Sequence, residues 1–446
     1  MVTLDRGMGL LQATATNIIG MVGVGPFLTI PFMVTAMNGP HIIYAWAFGA
    51  VLALCDGLVY AELGAALPGS GGPYVYLREA YRPFGAGRLM AFIFIFQLML
   101  VAPLSVAGGA VGFADYLGFY WTTMTPLEHN LAAAAVCVAV TALLYRDITS
   151  VGRLAVVMLA VVLLTVGWVV VAGLFNFSWA RAFDFPPEAR RIDAGLLRAM
   201  GAAGLLAMYN YGGYSNVCNI GEELTAPERT LPRSIVLSIV LVVVLYVVMS
   251  TVILGVIPWR EAQQSHTIAS LFIERTFSDP ARGRFAAMAM TSLILFVTAS
   301  SLYAVILGYS RIPFAAARDG QFFRVFGRLH ATKHFPYVSL LTIGAVALPF
   351  CFFSLGQLVS WLVQVQILLQ FVWQCAAVIL LRRYRPDVVK PFRMWLYPLP
   401  ALISLGMWIY IFLSAPTAGI VFSVAFLALA VAAYVIFARS KALPGR

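Results

Sequence analysis

Asn17-Ile-Ile-Gly-Met-Val-Gly-Val-Gly-Pro-Phe27 and Tyr209-Asn-Tyr-Gly-Gly-Tyr-Ser-Asn-Val217 are the two stretches whose reading decides this fold. Each sets glycines, and in the first case a proline, at the centre of an apolar run otherwise long enough to cross a bilayer. Counted from the N-terminus, they fall in the first and sixth such runs. Unwound backbone is tolerated at membrane depth only where it is buried in protein or lines a cavity. Breaks at corresponding positions of two halves are the pattern of a transporter built from two inverted five-helix repeats, each opening on a discontinuous helix.

The composition outside these stretches agrees. Of 446 residues, 61% are apolar and 11% charged, and the mean hydropathy is +0.89. A soluble domain would not stay dispersed with that balance. Apolar runs of about 20 residues, each able to cross the hydrocarbon layer, recur along the whole length. They predict an all-α integral membrane protein with twelve spans, at 9–36, 40–66, 86–114, 129–146, 152–176, 196–222, 231–257, 284–312, 336–354, 356–381, 395–414 and 416–438. One transmembrane domain is expected over 1–446, with repeat one at 9–176, repeat two at 196–381 and two extra helices at 395–438. The first run is too long and too broken by glycine for a cleaved signal peptide.

The net charge of +11 follows from topology rather than from a nucleic-acid partner. With the N-terminus inside, the largest basic clusters (Arg311, Arg318, Arg324, Arg328 and Lys333, then Arg382, Arg383, Arg385, Lys390 and Arg393) fall in inner loops. This is the positive-inside bias. It predicts a multi-pass protein of the cell membrane with both termini cytoplasmic. The outer arginines are balanced by outer acids such as Asp184, Glu188, Glu261 and Glu274. The five cysteines all lie within apolar runs and form no CxxC pair, so neither a disulfide framework nor a zinc site is indicated.

An interrupted helix exposes N–H groups on one half and C=O groups on the other, with partial positive and negative charge respectively. A zwitterion matches that pair of ends. A carboxylate is expected near Val24, Gly25 and Phe27, and an ammonium near the carbonyls of Ile19, Gly20, Tyr209 and Asn210. Gly23 and Gly25, like Gly212 and Gly213, let a ligand approach bare backbone. Pro26 suits the first turn of a helix but brings no N–H. Asn210 and Ser215 flank the second break and can bind ligand, satisfy the broken backbone, or both. Asp56, a carboxyl in the middle of the second span, is a candidate proton carrier or amine partner. Glu62, Glu222 and Glu223, at the inner ends of the second and sixth spans, are expected to pair with inner arginines such as Arg78, Arg146 or Arg318, as an inner gate or as a static bridge.

Three loop segments accompany the breaks. They are Tyr60-Ala-Glu-Leu-Gly-Ala-Ala-Leu-Pro-Gly-Ser-Gly-Gly-Pro73 with its continuation to Gly85, Gly221-Glu-Glu-Leu-Thr-Ala-Pro-Glu-Arg-Thr-Leu-Pro-Arg233, and Ser310-Arg-Ile-Pro-Phe-Ala-Ala-Ala-Arg-Asp-Gly320 followed by His334-Phe-Pro336. In this order and spacing the chain resembles the amino acid–polyamine–organocation superfamily over nearly its whole length. That resemblance implies a LeuT-type fold and secondary active transport or exchange of amino acids or related amines. It makes Tyr209 the aromatic that closes over substrate. The Gly-Pro-Phe first break and Asp56 resemble the polyamine-uptake branch, whereas Ser215 stands where that branch has an aspartate. Neutral amino acids are therefore the leading substrate class and polyamines the alternative. Ser300 and Ser301 lie near the hydroxyls of a cation site in sodium-coupled relatives, and Val162 stands where some sodium-independent relatives carry a lysine. A proton is accordingly the favoured coupling ion over sodium, and no cofactor or metal is expected.

The expected partners are a small amino acid or amine and the lipid bilayer; the sequence leaves the oligomeric state open. A channel predicts a filter loop or continuous polar stripe, and neither is present. A transceptor remains a further alternative of another class. No phosphate-binding G-x-x-x-x-G-K-[ST] loop and no H-E-x-x-H or G-x-S-x-G pattern occurs, so neither ATP-driven import nor an enzyme is indicated.

Overall fold

The computed structural model describes residues 8–22, 25–68, 71–146, 151–190, 193–219, 221, 224–331 and 335–442. The described chain is helical, without a β-strand; one isolated bridge sets Met8 parallel to Leu224. The helices are α1 (Leu10–Met21), α2 (Gly25–Met37), α3 (Ile43–Ala66), α4 (Pro73–Ala80), α5 (Gly87–Leu117), α6 (Pro126–Arg146), α7 (Val151–Phe175), α8 (Trp179–Ala182) and α9 (Ala194–Tyr211). They continue as α10 (Pro227–Val256), α11 (Trp259–Ala262), α12 (Ile268–Arg275), α13 (Pro280–Arg318), α14 (Tyr337–Phe350), α15 (Leu355–Gln366), α16 (Val372–Tyr384), α17 (Leu399–Ser414) and α18 (Thr417–Ala442).

Helix is found in every one of the twelve expected segments, but the spans are of unequal strength. Among the described residues, seven helical stretches are by themselves long and apolar enough to cross a membrane: α3, α5, α6, α10, α13, the continuous run Leu355–Tyr384 through α15 and α16, and α18. The pair α1 and α2, bent by 50° at its break, makes an eighth. Ala160–Phe175 of α7, α14 and α17 are shorter apolar helices. Among the described residues, length and composition alone thus identify seven such spans, or eight with the broken pair, of the twelve expected.

Local sequence accounts for the helix ends. Asp193 caps α9 by accepting from the Leu196 N–H at 2.8 Å, and Asp279 caps α13 at Ala281 N–H, 3.0 Å. Ser354 and Gln357 form a reciprocal capping box at the start of α15. Between α15 and α16 one turn, Ile367–Phe371, is a π-helix, an insertion often found at functional sites.

In chain order the two halves run alike. Broken α1/α2 is followed by α3, α5, α6 and α7; broken α9 is followed by α10, α13, α14 and the α15–α16 run. The breaks are brought together because α2 packs on α9 and α1 packs on α10, while α3 lies along α10, α9 and α17. α5 is the central helix, against α13, α6, α14 and α15, with 78% of its apolar window buried; for α18 that share is 17%, so α18 lies at the periphery of the bundle.

The glycine-rich turn after α3 docks on the segment that follows the second break. Gly71 N–H donates to Asn219 O at 3.3 Å, and Gly72 adopts φ +45. A Cβ on Gly72 would stand 3.1 Å from the Cys218 carbonyl oxygen and 2.7 Å from Asn219 Oδ1. Gly72→Ala is expected to destabilise by more than about 1 kcal/mol, because the side chain is incompatible with both the dihedral and the space. A melting curve of the purified variant checks this, and an unchanged midpoint would refute it.

Candidate substrate site

The first break opens after α1, where Val22 N–H still reaches Ile18 O at 2.6 Å, and closes at Gly25, the first residue of α2. Gly23 and Val24, expected to contact substrate, lie outside the described residues, as do Glu222 and Glu223. The second break follows Tyr211: Gly212–Ser215 form a turn and Asn216–Asn219 a single 3-10 turn.

The two breaks meet backbone to backbone. Gly213, at φ +123, is so placed that a Cβ would stand 2.7 Å from both the carbonyl carbon and oxygen of Gly20 and 3.0 Å from Met21 N. Only glycine tolerates both the left-handed dihedral and that approach. At the other end, a Cβ on Gly25 would be 2.6 Å from Asn210 Oδ1 and 3.8 Å from the Tyr209 ring. Ile19, Gly20 and Gly212 are exposed and Gly25, Tyr209 and Ser215 half-buried, while Pro26, Phe27 and Asn210 are buried. The described residues expected at the breaks thus form one cluster.

Side chains from unbroken helices satisfy much of the interrupted backbone. The Tyr246 hydroxyl on α10 is 2.6 Å from Met21 O and 3.3 Å from Asn210 O, so one donor faces the carbonyls at both breaks. The Asn210 carbonyl, expected to meet a substrate ammonium, meets this hydroxyl instead. Asn17, fully buried, accepts from Val217 N–H at 3.0 Å and donates to Ser238 Oγ at 3.3 Å. Asn210 Nδ2 donates to Thr29 Oγ1 and Leu206 O, each at 2.7 Å. Its Oδ1, beside Gly25, is a buried acceptor without a donor among the described residues. Tyr209 reaches across the cluster: its hydroxyl lies 4.0 Å from where a Gly108 Cβ would be, and Leu355 is 3.6 Å from the same point.

The acids of α3 have separate tasks. Asp56 is fully buried and accepts from Tyr214 Oη, from Ser404 Oγ at 2.9 Å, from Trp408 Nε1 at 3.2 Å and from Cys375 Sγ at 3.6 Å. A bond from a protonated Asp56 to a neighbouring carbonyl, one alternative for a mid-membrane acid, is not among these contacts. Glu62 pairs with another inner arginine, Arg382, rather than with Arg78 or Arg318; the Arg146 side chain lies outside the described residues. Arg382 Nε and Nη2 donate to its two oxygens at 2.5 and 2.7 Å, and Met394 N–H adds a third bond at 2.8 Å. The reason is that α16 ends beside the end of α3, so its last-turn arginine arrives first. The Arg382 guanidinium also stacks on the Tyr397 ring, 3.7 Å from its centre. Arg78 turns instead to Glu79 and the Tyr74 hydroxyl, each at 3.0 Å. Burial works against the charge of Glu79, yet hydrogen bonds from Arg385 and Arg78 hold its carboxyl below the ordinary glutamate range. Ser300 is buried and Ser301 half-buried on α13.

Sequence reading missed Tyr246 and did not single out Asn17. Tyr246 sits in an unbroken apolar helix and carries no local signal. Asn17, a buried amide opening the first break, could have been found as a polar residue inside an apolar run. A separate open cavity of about 630 Å³ lies away from the breaks, between the end of α5 and the α11–α12 segment, with Asp115, His129, Glu261 and His266 among its lining.

Paired breaks packed inside a bundle of long apolar helices define a multi-pass membrane transporter. Residues 8–438 match the family described as amino acid permease, and the chain belongs to that family. It is 29% identical to an uncharacterized transporter of Mycobacterium tuberculosis, over 77% of this chain and 73% of that one. It is 24% identical to the methylthioribose transporter of Bacillus subtilis, over 99% and 95%. It is 26% identical to a branched-chain amino acid permease of the same species, over 88% and 84%.

Tyr246→Phe keeps the ring but leaves two buried carbonyls without their donor, which costs about 1–3 kcal/mol. The variant is expected to melt earlier and to lose transport more than a Phe replacement at the outer Tyr120. Wild-type uptake by Tyr246→Phe in reconstituted vesicles would show that the hydroxyl is dispensable.

Proposed function

We propose that the chain carries neutral amino acids with apolar side chains across the cell membrane, by alternating access around the α1/α2 and α9 breaks. The observation that carries this reading is the unpaired, buried Asn210 Oδ1 set against Gly25 at the first turn of α2. That corner offers an acceptor for an amino group next to helix N–H groups for a carboxylate. The Tyr209 ring stands beside it, and its hydroxyl reaches toward Gly108, where Leu355 also packs, as an apolar side chain requires. A polyamine would need carboxylates, and Asp56, the acid bonded to Tyr214 of the second break, is occupied by protein donors. Both termini are proposed to be cytoplasmic, on the positive-inside bias, with Glu62–Arg382 locking the inner ends of α3 and α16. The two inverted repeats, at about 9–176 and 196–381, are the proposed moving units.

Pro26 favours a second reading, a ligand without a carboxylate, since it removes one donor from the first turn of α2. A thermal-shift screen separates the two, because a ligand that binds the folded state raises its midpoint; at a hundredfold over Kd the gain is about 2.7 kcal/mol. Stabilisation by leucine, isoleucine or phenylalanine is the expected result. Stabilisation confined to putrescine, spermidine and spermine, or to methylthioribose, would overturn the substrate class.

Coupling to protons rather than sodium is proposed as well, through Asp56. The titratable groups around it are Tyr214 and Cys375, with Tyr60 behind them and Cys55 adjoining in sequence. Asp56→Asn is expected to flatten the pH profile of uptake between pH 5 and 8, without a sodium requirement appearing. An unchanged profile in that variant would remove Asp56 from coupling.

A further inference from the structure

Asp56 does more in this fold than sit at membrane depth. A carboxylate offers about four lone-pair sites. Here four protein donors converge on it, Tyr214 at Oδ2 and Ser404, Trp408 and Cys375 at Oδ1. Their origin is informative. Tyr214 belongs to the unwound turn of the second break. Cys375 belongs to α16, and Ser404 and Trp408 to α17, the first helix after the two halves.

The contacts close on themselves. Trp408 stacks on Phe371 with ring centres 4.3 Å apart, and Phe371 ends the π-helical turn. In the same turn Gln370 donates to the Tyr60 hydroxyl at 2.7 Å and accepts from Gln97 at 2.6 Å. Tyr60 meets the Tyr214 ring edge-on at 5.9 Å. Tyr214 is therefore held at its hydroxyl by Asp56 and at its ring by Tyr60, and both holders are fixed to the π turn and α17. The preceding residue, Gly213, packs against the Gly20 carbonyl. A change at the Tyr214 hydroxyl is passed directly to the point where the breaks touch.

We propose that Asp56 is a positioning residue that clamps the Gly212–Ser215 turn to α16 and α17 through Tyr214, so that α17 sets the geometry of the substrate site. Hydrogen bonds in a dry interior are stronger than in water and reinforce one another, which suits a clamp. The inference rests on reading the breaks as the substrate site, but its test does not require a known substrate.

Asn216 is exposed and adjoins Gly20 across the breaks. Asn216→Cys in reconstituted protein, labelled by a membrane-impermeant maleimide, reports the state of the turn. The parent for comparison is the protein carrying Asn216→Cys alone. Tyr214→Phe, Asp56→Asn and Ser404→Ala, each added to Asn216→Cys, are expected to change the labelling rate by about tenfold, severalfold and severalfold. The Tyr214→Phe/Asp56→Asn double variant should match the stronger single, as residues acting as one unit do. With labelled leucine as probe, the same variants should raise KM more than they lower kcat. Equal labelling in Ser404→Ala and Tyr214→Phe as in the parent, or additive effects in the double variant, would overturn the clamp. Ser404→Ala and Tyr214→Phe remove single hydroxyls, so the test stands even where Asp56→Asn fails to fold. Absence of leucine transport by the wild type, with the labelling pattern intact, would instead count against the proposed substrate class.

Discussion

Two helices are interrupted at a depth where water cannot satisfy the interruption, and the interior of this protein is arranged around that constraint. Each unpaired N–H or C=O in hydrocarbon costs several kcal/mol. The fold meets the cost by turning the breaks toward each other and bringing polar side chains from intact helices to them. Tyr246 serves a carbonyl at each break, and Asn17 receives an N–H of the second. Gly20 and Gly213 make the approach sterically available. The apolar helices form the enclosure that keeps these polar contacts dry and therefore strong.

Asp56 and Glu62 illustrate how environment assigns different work to the same chemistry. They lie six positions apart on α3 (62 − 56). Glu62 takes a bidentate guanidinium and a backbone N–H at the end of the helix, where a charge pair joins two helix ends. Removing one partner from such a buried pair is costly, about 3–5 kcal/mol. Asp56 takes only neutral donors, each from a different direction. A carboxylate with neutral donors gains position rather than charge compensation, and the element it positions is the unwound turn.

How much of this was legible follows from the range of each interaction. The breaks were readable because glycine and proline act on their own backbone, and the helices because apolar runs need no partner to be recognised. The clustering of Gly20, Gly25, Tyr209, Asn210 and Gly213 followed from the repeat pattern. The partners were not readable. Arg382 reaches Glu62 across 320 positions of sequence, and Ser404 and Trp408 reach Asp56 across 348 and 352. Nothing local distinguishes those residues from packing polar groups in other spans, and an arginine nearer in sequence was the natural but incorrect choice for Glu62.

Pro26 and Asn210 are best understood together. Proline at the start of α2 withdraws one donor from a helix end that would otherwise bind anions alone. Asn210 adds an acceptor at the same corner, with its amide fixed by two bonds from Nδ2 so that Oδ1 points at Gly25. In the proposed reading the helix end is thereby changed from a simple anion seat into a mixed site, one that is best filled by a group bearing donor and acceptor side by side. An α-amino acid has that arrangement at its backbone. A polyamine has no acceptor to offer the remaining N–H groups, and a simple carboxylate would leave Asn210 Oδ1 unpaired. A pocket that penalises both incomplete ligands obtains its selectivity from the cost of unpaired groups, which exceeds what an extra apolar contact supplies.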